Sequence, residues 1–147
     1  MTPISLGIFA AANTTTKASY ESIAVSSVGS GGASSVSFTN IPSTYTHLQV
    51  RAMGQGVTAG GRQILFQFNS DTGSNYNSHE VYGDGTTATA AAKGTGTSGW
   101  FAYWSASGVG AAVFDILDYK DTNKYKTTRS LSGHDLNGSG YILFRSG

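Results

Sequence analysis

The side chains able to do chemistry are few. His47, His79 and His134 are the only imidazoles, so acid–base work or metal ligation would fall to them. They lie on three separate stretches with only Glu80 and Asp135 as adjacent carboxylates, and no zinc-type spacing is present. Ser132-Gly-His-Asp135 contains the residue types of a hydrolytic triad. Residues adjacent in sequence cannot set the base between nucleophile and orienting carboxylate, and no Gly-x-Ser-x-Gly elbow occurs, so a turn is expected there. Asn69-Ser-Asp-Thr-Gly-Ser-Asn75 offers oxygen ligands, but calcium wants about 6–8 oxygens with several carboxylates, and only Asp71 is charged.

Asp115, Asp118 and Asp121 stand beside Lys120, Lys124, Lys126 and Arg129. Paired carboxylates can hydrolyse glycosides, yet residues three apart on a strand point to opposite faces. The better expectation is an acidic strand paired with a basic strand across a turn at 120–123, which fixes register. Gly83-Asp-Gly85 and Gly94-Thr-Gly96 lead into no helix whose N-terminus could hold a phosphate. The sequence therefore predicts no catalytic residue, no cofactor and no metal, and hence a non-enzyme. Trp100-Phe-Ala-Tyr-Trp104 is the densest aromatic run. Alternation puts Trp100 and Trp104 on one face and Phe101 and Tyr103 on the other. Trp100, Tyr103 and Trp104 are the candidates for burial in a core, an interface, or a glycan contact.

Composition sets the frame for these residues. The chain has 147 residues, one domain's worth. Charged residues make up 12%, against about 25% in typical proteins. Gly, Ser and Thr number 20, 20 and 17, while aromatics reach 12%, too many for a disordered chain. A net charge of +1 gives no basic footprint for nucleic acid. Absence of Cys excludes disulfides and thiolate chemistry. No apolar stretch is long enough to span a membrane, and the short apolar N-terminus, with no preceding Lys or Arg, does not read as a signal peptide.

The elements read as strands. Ile4, Leu6 and Ile8 alternate with small residues, then Ala10–Lys17 is small and polar. Residues 1–18 are thus an extended anchor and linker, and 19–147 the folded domain. Ile23–Val28 and Val36–Phe38 flank the turn Gly29–Gly32, a hairpin signal. Further strands are expected at 47–52, 62–68, 76–82, 100–104, 110–119, 124–131 and 141–144, with 86–98 as a mobile loop. No segment has helical periodicity with a cap. About eight to ten short strands predict an antiparallel β-sandwich of jelly-roll type. The chain stops soon after a strand, so a partner chain or further sequence is expected to complete the sheet.

Met1-Thr-Pro-Ile-Ser-Leu-Gly-Ile8, Tyr20-Glu-Ser-Ile23, Val28-Gly-Ser-Gly-Gly32, Ile41-Pro-Ser-Thr-Tyr-Thr-His-Leu-Gln49, Phe68-Asn-Ser-Asp-Thr-Gly-Ser-Asn-Tyr76, Tyr82-Gly-Asp-Gly85, Asp115-Ile-Leu-Asp-Tyr119, Asn123-Lys-Tyr-Lys-Thr127 and Gly138-Ser-Gly140 together resemble a family of virion structural proteins of tailed phages, common in aquatic and cyanobacterial phages. The resemblance runs along nearly the whole chain. It implies a tail fibre or tail-associated appendage acting in host-surface attachment, or alternatively a capsid decoration (cement) protein stabilising the head. It further implies virion localisation, other virion proteins as partners, a homo-oligomer (trimers being frequent), and a glycan or protein on the host surface as target. It brings no catalytic residue. Ile4, Leu6 and Ile8 are then the expected anchor to the particle. Deleting residues 1–12 should abolish incorporation into particles while the thermal transition of the domain persists; a truncated protein that still loads would refute the anchor.

Overall fold

The structure, a computed structural model, describes residues 20–57 and 61–147. The chain divides into two units, Met1–Ile41 and Pro42–Gly147. The anchor residues Ile4, Leu6 and Ile8 lie outside the described residues.

The second unit carries eight strands: β1 (Leu48–Gly54), β2 (Arg62–Phe66), β3 (His79–Gly83), β4 (Ala88–Ala92), β5 (Gly99–Trp104), β6 (Gly110–Leu117), β7 (Thr127–Asp135) and β8 (Gly140–Ser146). Six form one sheet in the order β1-β6-β7-β8-β3-β4, and β2 pairs with β5 in a second sheet. Every pairing is antiparallel. β5 packs against β6, β7 and β8. The result is the all-β antiparallel sandwich predicted from the sequence; the strand order does not establish the jelly-roll winding. No helix among the described residues is long and apolar enough to cross a membrane.

The pleat places alternate side chains on opposite faces, and three central strands obey it cleanly. Gly110, Ala112, Phe114 and Ile116 of β6 are buried, as are Thr128, Ser130 and Ser132 of β7 and Leu143 and Arg145 of β8. Phe114 is the hub: its ring lies 4.6 Å from Phe66 and 5.0 Å from Phe101. Leu48, Val50, Ala52, Ile64 and Phe68 pack around it. Gly54 and Gly110 are register partners, and a Cβ on either would fall within the indole of Trp104. The paired glycines make a flat seat for that ring, as aromatic side chains commonly cover strand glycines.

Four expectations are corrected. Residues 20–41 contain the turn, with Gly32 N–H donating to Gly29 O at 3.0 Å, but no strand ladder. A lone two-stranded hairpin is marginal in water, and Ser-rich alternation gives it little to bury. Residues 86–98 are not simply a loop: β4 adds to the edge of β3. The Asp84 carboxylate accepts from the Thr86 and Thr87 N–H groups at 2.9 and 2.7 Å, which pins the turn and starts the strand. Ser132–Asp135 is strand rather than turn, because β6 and β8 pair with it on both sides. The two-faced reading of 100–104 fails at a bulge. The register passes from Ile64↔Ala102 to Leu65↔Trp100, so Phe101 has no partner on β2 and the alternation slips.

Phe114→Ala should cost about 3–5 kcal/mol, as for other buried aromatic truncations, read as a lowered denaturant midpoint at unchanged slope.

Candidate functional site

Because of that bulge, all four large side chains of β5 touch the six-stranded sheet. Trp100 lies against Arg145, Phe101 against Phe114, Tyr103 against Tyr141 and His134, and Trp104 on the glycine seat. Trp100, Tyr103 and Trp104 are half-buried and sit where the sheets meet. They organise two neighbouring clusters.

The first is ionic. Glu80 and Arg145 are register partners on β3 and β8, both turned inward, with side chains 3% and 5% exposed. Arg145 donates from Nε at 2.9 Å and approaches with Nη2 at 2.8 Å, both to Glu80 Oε2. Lys93 Nζ reaches Oε1 at 2.7 Å. The Trp100 ring lies 4.8 Å from the Arg145 guanidinium and 5.2 Å from Lys93 Nζ, distances at which the ring quadrupole attracts a cation. Burial pulls the Arg145 pKa below its ordinary value, and the Glu80 hydrogen bond opposes this.

The second is aromatic. Tyr141 stacks on Tyr82 at 5.1 Å and lies 5.3 Å from Tyr103 and 6.2 Å from His134. It stands beside the β3–β4 and β7–β8 turns. Burial first, then neighbouring Tyr82 and Glu80, push the Tyr141 phenol up to about 12. Ser132 Oγ and His134 Nδ1 are buried without a hydrogen-bond partner, so the Ser-Gly-His-Asp run assembles no proton relay.

The other candidates stay dispersed. His47 accepts from the Asp118 N–H at 2.9 Å, and His79 is exposed on β3. Asp71 accepts from the Gly73 N–H at 2.8 Å and from Asn75 at 2.9 Å, which lowers its pKa and commits the carboxylate to its own turn. Among the described residues no group of three or more His, Cys, Asp or Glu could hold a metal. The predicted acidic–basic pairing is present: Asp115 and Arg129 are register partners, joined at 3.0 Å. Hydrogen bonds from Gln49 and Arg129 draw the Asp115 pKa down. Asp118 pairs with Lys124 inside the following turn.

Glu80, Lys93 and Arg145 were missed as a set. The only trace in the sequence is that Glu80 shares inward parity with Tyr82, and Arg145 with Tyr141. Set against known protein families, curated proteins and solved structures, the chain matches none of them.

Glu80→Gln keeps the shape but leaves Arg145 buried without its counter-charge. It should cost about 3–5 kcal/mol, whereas Lys93→Met, at the more exposed end of the network, should cost about 1 kcal/mol or less. Urea unfolding of both variants checks the ordering; equal losses would contradict it.

Proposed function

We propose that this chain is a non-enzymatic structural protein of a tailed-phage virion, a tail fibre or tail-associated appendage acting in attachment to the host surface. The sequence resemblance supports this, and one structural observation carries it. The sandwich turns a broad apolar sheet face to the outside: Val81, Val113, Leu131, Ile142 and Phe144 are 37–53% exposed. A contiguous exposed apolar face marks an interaction surface, and assembly into a larger particle gives it a use.

In this reading the protein works as a homo-oligomer among other virion proteins, the trimer being the form the resemblance implies. Contact with a host glycan or protein falls to the sandwich end bearing Tyr82, Tyr103 and Tyr141, where turns can vary while strands hold the aromatic rings. A broad flat face also suits a capsid decoration protein lying on the head, and this is the second reading.

Gold-labelled antibody on intact virions separates the two. Label confined to the tail is the expected outcome. Label over the head would replace the attachment role with decoration, and particles free of label would end both.

A further inference from the structure

We infer that the outward face of the six-stranded sheet packs against the same face of a second copy of this chain. The strongest sign is an inversion of polarity across the sheet. At the β3–β8 pairing, the charged partners Glu80 and Arg145 point inward and are buried, while the next pair, Val81 and Phe144, points outward and is 53% exposed at both positions. On β7, Thr128, Ser130 and Ser132 are buried, while Leu131 between them is 43% exposed. A sheet facing water on one side normally alternates apolar-in and polar-out. Here half of the sheet does the reverse, so its outer face is patterned for cover.

The register joins the outward residues into one row, Val113↔Leu131↔Phe144↔Val81↔Ala90, running over β6, β7, β8, β3 and β4. Beside it, Ala111 and Gly133 leave a shallow hollow rimmed by Met53, Leu131 and Ile142. The face therefore carries both projections (Phe144, Ile142) and a recess able to take such projections from a copy of itself.

Area and charge favour a second copy as the occupant. Six strands at about 4.8 Å spacing, with a shared length of about five to seven residues, present on the order of 500–600 Å² of flat face. Two such faces together bring about 1,000 Å² or more of surface into contact, the lower range of specific interfaces. From β6 to β4 the row holds no charge; on β1 it ends at the exposed Arg51, the register partner of Val113, so like can face like without repulsion over five of the six strands. Arg51 belongs to a charged corner on that side: it donates to Gln49 at 2.8 Å, and Asp115 accepts from Gln49 at 2.8 Å and from Arg129 at 3.0 Å. That corner serves as the polar rim of an apolar contact, and two-fold self-pairing is the commonest way such faces close.

The inference rests on the assembly role proposed above but replaces the trimer that the resemblance implies with a face-to-face pair, and its test is independent of where on a virion the protein sits. Light scattering on the eluting full-length protein should give the mass of two chains. Phe144→Lys and Val81→Lys should each reduce it to one chain with the far-ultraviolet β signal retained, while Leu65→Lys, 51% exposed on β2 of the other sheet, should leave the pair intact. Because the chain has no cysteine, Phe144→Cys gives a second readout that does not depend on surviving a buried charge. A short bis-maleimide should link it into dimers, and should not link Leu65→Cys. A wild-type mass of one chain at several hundred micromolar, a mass of three chains, or lysine variants that keep the wild-type mass would each overturn the pairing; the first would leave the face to a different virion protein.

Discussion

The sandwich depends on two strands covering one face of six. β2 and β5 are too few to do this with aliphatic side chains alone, so the cover is built from rings. The bulge at Phe101 is what makes it possible. Without it, strict alternation would turn half the aromatics of β5 away from the large sheet. With it, Trp100, Phe101, Tyr103 and Trp104 all reach across, each meeting a different strand or pair of strands. Glycine completes the arrangement from the other side, where Gly54 and Gly110 let the Trp104 ring lie close to the sheet backbone. Residues of large area and few rotatable bonds suit a thin layer, because they bury much surface for little lost rotamer freedom.

The Glu80–Arg145 pair follows from the same shortage. The far side of the sheet has too little apolar cover, and Trp100 is the side chain that closes over the pair there. Replacing such a pair by packed apolar residues is often neutral or stabilising, so stability alone does not account for it. Register does. A slip of one residue between β3 and β8 would bring Val81 and Phe144 inward and expose the charges, since every side chain changes face. Directly opposed opposite charges, held by two contacts to one carboxylate oxygen, oppose that slip. Asp115 and Arg129 do the same for β6 and β7 at the opposite end of the sheet, where exposure makes the effect smaller.

Much of the fold was legible because β6 and β8 are apolar runs of strand length, β7 alternates, and the turns between strands carry Asn, Asp and Gly. The charge pairing of Asp115 with Arg129 was legible for the same reason: both sides of a short connection announce it. β4 was not, because Ala-Thr-Ala-Ala-Ala has weak strand preference of its own and is held by its neighbour and by the Asp84 turn. The hairpin over 23–38 misled in the opposite sense, since alternation specifies a strand only where a face is buried. The bulge left no local mark in Trp100–Trp104. The Glu80–Arg145 contact joins residues far apart in sequence, and nothing short of the strand order β8-β3 brings them together.

The parity of β3, β7 and β8 was legible, but not its sense. Alternation says which residues share a face; it does not say which face is the core. The usual rule assigns the apolar set inward, and for β6 that rule holds through Phe114 and Ile116. For β3 and β8 it would have placed Val81 and Phe144 in the core and Glu80 and Arg145 in water. The reverse arrangement persists because β3, β7 and β8 cannot choose their faces singly. β6 presents Phe114 to β5, and hydrogen-bonded neighbours in one sheet inherit its parity through fixed register. An isolated sandwich gains nothing from an apolar outside and risks aggregation there. A sheet with two covered faces has no such conflict, because both parities are then interior. The pattern is that of a sheet with two interiors, one filled by β5 within the chain and the other, in the pairing we infer, by a second copy.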